Sequence, residues 1–329
     1  MKIADMHCDT ISQIWERQKA GNRQQLFQNS LHVDIQKMQK ANYLLQNFAL
    51  YVDLKKEPDP FMYVLKLVDV FQDEMQKNKK DICFVQTYDE IIVNEKQGKI
   101  SALMTVEEGG CCKGEIQNLE TLYQLGARMM TLTWNYPNEL ASPNIFEKDS
   151  RQSAKGFPLF DSSAGLTENG FLFIERMEEL GMIIDVSHLS DAGFWDIAKH
   201  TEKPFVASHS NARALCGHAR NLTDDMIRVI ANRGGVIGLN CYGRFLNAIN
   251  DDSSRVARMA QHARHILNVG GGECLGLGTD FDGINGQLEI QDCSQMYKLV
   301  HELERQHFTE SEIENILFRN VMRVYKELL

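Results

Sequence analysis

The amino-acid sequence predicts a (β/α)8 barrel, the α/β fold in which eight parallel strands alternate with helices. Short apolar runs rich in β-branched residues recur eight times, and amphipathic stretches separate them. Eight such units in 329 residues fit a closed barrel better than a doubly wound open sheet. The predicted strands cover residues 2–6, 43–51, 100–106, 128–133, 182–186, 204–208, 236–240 and 274–279.

The intervening stretches carry helix signals. Thr223 is a predicted N-cap followed by two acidic residues, and Thr309 with Glu312 forms a predicted capping box. Gly126 and Gly181 each stand immediately before a strand, where a glycine commonly ends a helix. We therefore expect a single barrel domain over residues 1–329, with extra helices after the eighth strand.

Composition excludes several classes of function. The formal net charge is −10, and the longest basic cluster is the tetrapeptide at 77–80, which argues against nucleic-acid and anionic-membrane surfaces. No apolar run approaches the ~20 residues of a membrane span, and we expect no signal peptide before the first strand. The eight cysteines form no C-x-x-C pair and are expected to be free thiols. These features predict a cytoplasmic protein that acts on a small molecule.

One polar, turn-rich segment, residues 135–169, is far longer than the other connections. Loops beyond about 12–15 residues are usually functional or disordered. In a barrel this loop would follow the fourth strand and lie over the carboxyl-terminal mouth. We therefore predict a lid over the active site.

The ends of five predicted strands carry side chains that bind metals or transfer protons. In an extended strand residues i and i+2 face the same side, so His7 and Asp9 should project together while Cys8 points away. Desolvated histidines and acids are costly unless they are paired, protonated or bound to a cation. The strand-end residues are His7, Asp9, Glu107, Glu108, His188, His209, Asp280 and Asp282.

This set is too large for one catalytic zinc ion, which keeps an open position and takes three protein ligands. Three histidines, one aspartate and one glutamate fit two zinc ions that share a bridging carboxylate and a bridging water. The sequence therefore predicts a binuclear metal site at the mouth of the barrel.

Seven motifs, in this order and spacing, resemble the membrane (renal) dipeptidase family, peptidase family M19, of binuclear zinc peptidases. That family belongs to the amidohydrolase-like metal-dependent hydrolases, and the chain looks like its cytosolic bacterial branch. The motifs are H-C-D (7–9), V-E-E-G-G (106–110), L-T-W-N (132–135), D-V-S-H-L-S (185–190), S-H-S-N-A-R (208–213), R-N-L-T-D (220–224) and G-T-D-F-D-G (278–283).

The resemblance implies a role for each metal-capable residue. His7 and Asp9 would bind one zinc ion, and His188 and His209 would bind the other. Glu108 would bridge both ions, because the glutamate of the family directly precedes the Gly-Gly pair. The cofactors would therefore be two zinc ions per chain.

The resemblance also implies substrate contacts. Asp280 would be the acid-base residue, and Arg220 would hold the free α-carboxylate of the substrate. Better-known members place a histidine that polarises the scissile carbonyl where this chain has Trp134. Either zinc alone would stabilise the oxyanion, or Asn135 or another lid residue would substitute.

The implied activity is hydrolysis of dipeptides, including L-D dipeptides, by a metallopeptidase that could form a homodimer. One alternative is another amidohydrolase-type reaction on a lactone, cyclic amide or phosphotriester, although those barrels usually begin with H-x-H. A second alternative is a non-catalytic metal-binding barrel. A nucleotide-binding oxidoreductase is excluded, since Phe281 replaces the third glycine of the G-x-G-x-x-G pattern.

Overall fold

A computed structural model describes residues 1–144, 163–247 and 251–329. Its main feature is a ring of eight parallel strands, closed by pairing between the second and fourth strands in chain order. The strands are β1 Ile3–Asp5, β2 Tyr43–Tyr51, β3 Ile82–Val85, β4 Ile100–Glu107, β5 Met129–Thr131, β6 Ile183–Asp185, β7 Val206–Ala207, β8 Val236–Leu239, β9 Ser253–Ser254, β10 Leu275–Leu277 and β11 Gln287–Leu288. The predicted (β/α)8 barrel is confirmed.

Each barrel strand corresponds to a predicted strand, although most are shorter by one or two residues at either end. The ring runs β1, β2, β4, β5, β6, β7, β8 and β10, and then returns to β1. Carboxyl-terminal ends of parallel strands meet at one rim, so residues that follow the strands converge there.

Helices cover the outside of the ring, and the expected extra helices follow β10. Thr223 caps its helix by accepting a hydrogen bond from the Met226 backbone N–H at 3.3 Å, and the Thr309–Glu312 capping box is present. The helices are α1 Thr10–Lys19, α2 Ile35–Lys40, α3 Pro60–Lys77, α4 Tyr88–Lys96, α5 Ile116–Gln124, α6 Glu168–Leu180, α7 Asp191–His200, α8 Asp224–Asn232, α9 Gly243–Leu246, α10 Val256–Gly270, α11 Tyr297–Arg305, α12 Glu310–Glu314 and α13 Asn320–Leu328.

One strand, β3, was not predicted from the sequence. It lies outside the ring and pairs with Ile100–Leu103 of β4, while β5 pairs with the later residues of β4. Its four residues alternate poorly between apolar and polar types, and Cys83 and Phe84 are only half-buried. A short run of this kind has no clear period, and tertiary pairing decided its conformation.

The interior of the barrel is filled by apolar side chains from the starts of the strands, among them Leu45, Met129 and Val236. Helix α13 packs Val321 and Tyr325 into this cluster. The Tyr325 hydroxyl accepts a hydrogen bond from the Asn47 side-chain amide at 2.6 Å. The C-terminal helix thus closes the amino-terminal end of the barrel and leaves the opposite rim for a site.

All eight cysteines are free, and seven of them are buried. None of the helices in the described ranges combines the length and the apolar character needed to cross a membrane. The central part of the predicted lid, residues 145–162, lies outside the described residues.

Candidate metal centre

Six buried side chains meet at the carboxyl-terminal rim of the barrel, and we call them the strand-end cluster. They come from residues at or just after the ends of five strands, β1, β4, β6, β7 and β10. None is more than 9% exposed. The members are His7, Asp9, Glu107, His188, His209 and Asp280.

One half of the cluster surrounds the His7 imidazole. Its Nε2 lies 3.5 Å from Asp9 Oδ2, 3.4 Å from Glu107 Oε2 and 4.0 Å from Asp280 Oδ1. His7 and Asp9 face the same side, as predicted, while Cys8 packs into the apolar core outside the barrel. Three carboxylates therefore converge on one ring nitrogen.

The other half is formed by His188 and His209. The Nε2 atoms of these two rings are 3.1 Å apart. Glu107 Oε1 lies 3.0 Å from His188 Nε2 and 3.6 Å from His209 Nε2. One oxygen of Glu107 thus faces His7, and the other faces the remaining two histidines.

Glu108 does not join this cluster, so its expected place between the histidines is corrected to Glu107. Consecutive strand residues point to opposite faces, and the Glu108 carboxylate turns away to accept hydrogen bonds from the backbone N–H groups of Gly110, at 2.8 Å, and Trp134, at 3.0 Å. The glutamate that faces the histidines does not directly precede Gly-Gly in this chain, because Glu108 stands between Glu107 and that pair.

Burial and mutual charge shift the proton affinities across the cluster. Burial raises the pKa of Asp9 to about 6 and that of Asp280 to about 7. Burial lowers the pKa of His188 to about 4 and takes that of His209 well below its usual range. Burial also opposes the charge on Glu107, but the charge of His7 and the hydrogen bond of His188 outweigh it and lower the pKa of that carboxyl.

A buried carboxylate beneath the cluster orients His209. Asp185, the last residue of β6, accepts hydrogen bonds from the Ser208 backbone N–H at 2.8 Å and from the Thr131 hydroxyl at 2.7 Å. Asp185 also accepts a hydrogen bond from the Ser208 hydroxyl. That hydroxyl lies 2.7 Å from His209 Nδ1. This relay leaves Nε2 of His209 directed at the cluster.

Two further residues missed in the sequence support the other half. Asp5 accepts hydrogen bonds from the Thr279 hydroxyl at 2.6 Å and from the His7 backbone N–H at 3.2 Å. The Asn240 side-chain amide donates to Asp280 Oδ2 at 2.9 Å. The sequence could have indicated Asp5 and Asp185, because each is an aspartate inside an apolar strand shortly before a histidine.

Backbone conformation at the rim is strained at several non-glycine residues. His188, Asp280 and Asp282 have φ values of +69°, +62° and +70°. Such conformations cost on the order of 1–3 kcal/mol each and persist where surrounding contacts impose them, typically at functional sites. The His188 and Asp280 side chains enter the cluster, whereas the Asp282 carboxylate accepts hydrogen bonds from the Thr10 hydroxyl and the His32 backbone N–H, both at 2.6 Å.

The donor set fits a metal. The buried atoms His7 Nε2 and Asp9 Oδ1 have no hydrogen-bond partner among the described residues, which is costly unless a cation binds there. Ligand-capable atoms of His7, Glu107 and His209 lie within 4.8 Å of one another, and so do those of His7, Asp9 and Asp280. Imidazole nitrogens with carboxylate oxygens are typical zinc ligands.

A pocket of about 310 Å³ opens onto the cluster. Arg220 lines it and is only 1% exposed. Its guanidinium donates to the His209 carbonyl at 3.2 Å and contacts the Ser210 hydroxyl at 3.5 Å, while Nε has no partner among the described residues. Burial lowers its pKa to about 10. The guanidinium pairs with no described carboxylate, so it is prepared to receive an anion.

Trp134 and Asn135 also line the pocket. The Trp134 ring lies 4.9 Å from that of Tyr51 and 6.4 Å from the His188 imidazole, measured between centroids. Asn135 Oδ1 lies 3.1 Å from His188 Nδ1. The structure thus brings both residues to the cluster, and Asn135 holds a cluster imidazole.

Comparison with known protein families gives a match over nearly the whole chain. The family described as membrane dipeptidase, peptidase family M19, matches residues 1–328. An uncharacterised dipeptidase of Schizosaccharomyces pombe is 31% identical over 99% of this chain and 80% of its own. An uncharacterised Klebsiella pneumoniae protein from the pqqA 5′ region is 34% identical over 71% of this chain and 84% of its own.

Solved structures show the same fold. A metallopeptidase from Rhodobacter sphaeroides, liganded with a phosphinate mimic of the dipeptide L-Ala-D-Ala, superposes with a TM-score of 0.88. The match covers 100% of this chain and 99% of the other at 21% identity.

Proposed function

Because the chain belongs to the membrane dipeptidase family of metallopeptidases, we propose that it is a binuclear zinc enzyme that hydrolyses dipeptides, including L-D dipeptides. The observation that carries this proposal is the buried Arg220 guanidinium, which has no carboxylate partner in the described residues and lies in the same pocket as the strand-end cluster. A free α-carboxylate next to the scissile bond is the feature that distinguishes a dipeptide from an internal peptide bond.

The cluster divides naturally into two ligand sets. We assign His7 and Asp9 to one zinc ion, His188 and His209 to the other, and Glu107 to both, since its two oxygens face different histidines. Two zinc ions, when bound, supply an acidified water and positive charge for the carbonyl oxygen. Asn135 fixes the His188 ring through Nδ1, which leaves Nε2 for the cluster.

Asp280 is the proton carrier in this mechanism. Its Oδ1 lies 4.0 Å from His7 Nε2, at the edge of the cluster that faces the pocket. Asn240 holds Oδ2, so Oδ1 is the oxygen that accepts the proton of the attacking water and returns it to the leaving amine. Burial raises the pKa of Asp280 and so favours its protonated form, whereas bound zinc ions would favour the carboxylate.

Arg220 fixes the carboxyl end of the substrate. A planar guanidinium binds a carboxylate through two parallel hydrogen bonds, and that pairing also neutralises the buried charge. Because Arg220 and the cluster line the same pocket, a substrate held by both would have one residue after the scissile bond. Longer peptides would lack a carboxylate at that place.

Two further parts of the proposal, the substrate class and the cellular compartment, rest on other observations. The bound molecule in the Rhodobacter structure mimics an L-D dipeptide, which supports the same substrate class here. Eight free cysteines favour a reducing compartment, and we therefore propose action in the cytoplasm.

The proposal is tested by metal analysis and a small substrate panel. We expect two zinc ions per chain, cleavage of Ala-Ala and Ala-D-Ala, and loss of both activities on addition of a chelator. Matched compounds without the free carboxylate, Ala-Ala amide and the tripeptide Ala-Ala-Ala, should be cleaved far more slowly. Fully metallated protein that leaves both dipeptides intact would rule the proposal out, and cleavage of a lactone panel instead would favour the alternative hydrolase reaction.

A further inference from the structure

Glu108 is buried next to the strand-end cluster, yet no part of the mechanism uses it. Its side chain has no exposed surface, and its φ of +97° lies in the left-handed region that disfavours glutamate. A strained backbone and a buried acid are both costly, and both persist only when specific contacts compensate for them.

Those contacts hold the turn that begins at Trp134. Glu108 Oε2 accepts the Trp134 backbone N–H at 3.0 Å, and Oε1 accepts the side-chain amide of Asn138. Asn138 in turn donates to the Leu132 carbonyl at 2.8 Å and accepts the Leu140 N–H at 2.7 Å. The carboxylate thus fastens this turn to the end of β4.

The turn contributes Trp134 and Tyr136 to an aromatic wall, which we define as these two residues and Tyr51, the last residue of β2. The Trp134 ring lies edge-to-face with both tyrosines, at centroid distances of 4.9 Å and 5.5 Å. Tyr51 and Trp134 line the pocket. The indole therefore forms a surface that substrate can contact, and Glu108 fixes its backbone.

A separate aromatic pair stands at the Arg220 end. Tyr242 and Phe245 contact each other at 4.9 Å, and the Arg220 guanidinium lies 5.3 Å from the Phe245 ring. Within the described ranges, no ring contact joins this pair to the aromatic wall. With the substrate carboxylate at Arg220 and the scissile bond at the cluster, the first residue of the dipeptide extends away from the Arg220 end, and the other tyrosine and tryptophan rings that line the pocket are Tyr51 and Trp134.

On the basis of the dipeptidase function proposed above, we propose that Glu108 is a positioning residue and that Trp134, which it holds, determines selectivity for the first residue of the substrate. An indole wall favours a flat, apolar side chain there. An aromatic pair contributes enough to change relative rates about three- to tenfold. The wild-type enzyme should accordingly prefer Phe-Ala to Gly-Ala in kcat/KM.

The test compares this preference in Glu108→Ala, Trp134→Ala and the double variant. Each single variant should lower the Phe-Ala to Gly-Ala ratio about three- to tenfold, and the double variant should lower it no further, because both changes remove one wall. The Ala-Phe to Ala-Gly ratio, which reports on the second residue, should not change. Glu108→Gln keeps an oxygen acceptor and should restore part of the preference.

Two controls separate positioning from loss of structure. Glu139→Gln changes an exposed acid in the same turn and should leave both ratios unchanged. Of the three tryptophans, Trp15→Phe and Trp195→Phe leave only Trp134, whose fluorescence can be measured without turnover. Adding Glu108→Ala to that background should increase acrylamide quenching, with zinc content unchanged.

The outcomes are distinguishable. A wild-type enzyme that cleaves no dipeptide would overturn the proposed function and this inference with it. A wild-type enzyme that cleaves dipeptides, with variants that keep its Phe-Ala preference, would overturn the selectivity assignment alone. Loss of zinc from Glu108→Ala, or equal loss on every substrate, would show that Glu108 supports the site as a whole.

Discussion

At the residue scale, the two adjacent glutamates show that environment decides the role of a side chain. Glu107 faces three imidazoles, and the charge of His7 with the hydrogen bond of His188 keeps its pKa low against the effect of burial. Glu108 faces backbone N–H groups, and burial raises its pKa to about 7. The same residue type is therefore a candidate metal ligand at one position and a positioning group at the next.

Asp280→Asn tests the proton carrier. The asparagine keeps an oxygen that can accept the hydrogen bond from Asn240, so the site should retain its shape and both zinc ions. It cannot accept the proton of the attacking water, and kcat should fall about 10²- to 10⁴-fold. Steady-state kinetics with metal analysis checks this, and a kcat close to wild type would refute the assignment.

Arg220→Met tests the carboxylate site by a change in stability as well as activity. KM for Ala-Ala should rise about ten- to a hundredfold, while hydrolysis of Ala-Ala amide should change little, because the amide never used the guanidinium. Arg220 pairs with no carboxylate among the described residues, so replacing its buried charge should also raise the free energy of unfolding. An equal loss on acid and amide, or a less stable protein, would contradict this role.

At the element scale, buried polar side chains connect loops that the barrel alone would leave independent. His262 on α10 is one such link, since its Nδ1 accepts the Ala212 backbone N–H at 3.1 Å and its Nε2 contacts the Leu246 carbonyl at 3.0 Å. Ala212 and Leu246 belong to the segments that flank Arg220 and Phe245. Helix α10 thus supports the segments that form the Arg220 end of the pocket.

The contribution of His262 to the stability of the fold should be lost in mild acid. Burial lowers its pKa to about 4, against about 6.5 in the unfolded chain, so between these values the unfolded state binds the extra proton. Its contribution to stability is present above about pH 6.5 and is lost as pH falls towards 4. The gap in unfolding free energy between wild type and His262→Gln should narrow by about 1 kcal/mol per pH unit.

Urea titrations at several pH values measure that gap. The exposed His301 offers a matched control, and His301→Gln should show no comparable narrowing. A gap for His262→Gln that stays constant between pH 7 and pH 4 would refute the link.

At the scale of the whole molecule, the strand-end cluster joins strands from every part of the chain. His7 and Asp280 are 273 positions apart in sequence, yet their ligand atoms lie 4.0 Å from each other. A metal that binds these side chains in the folded state, and not in the unfolded chain, stabilises the fold by mass action. The barrel and its metal centre should therefore unfold together.

Metal removal should lower the thermal stability of the protein. At a free zinc concentration a hundred times the dissociation constant, binding contributes about 2.7 kcal/mol per site, which a chelator abolishes. Calorimetry with and without chelator measures the shift in Tm, and added zinc should reverse it. Asp9→Ala should bind fewer zinc ions and show a smaller shift; an unchanged shift with two ions retained would remove Asp9 from the ligands.

The sequence by itself determined the fold class and the strands that carry the site. Periodicity marks apolar strands and their ends, and parallel strands bring those ends to one rim, so the sequence alone predicts that His7, His188, His209 and Asp280 lie together. The role of Arg220 was implied by the resemblance of its motif to the family, and in the structure Arg220 lines the pocket.

Only the tertiary structure decided which glutamate enters the cluster and which groups brace it. The pattern of apolar residues does not reveal the positive φ of Glu108. Neighbouring residues in a strand face opposite sides, so a shift of one position changes which carboxylate faces the cluster. The contacts of Asp5, Asp185 and Asn240 join different strands, and the addition of β3 depends on its pairing with β4. Local sequence encodes period and turn chemistry, whereas partners across strands are set by the way the whole chain packs.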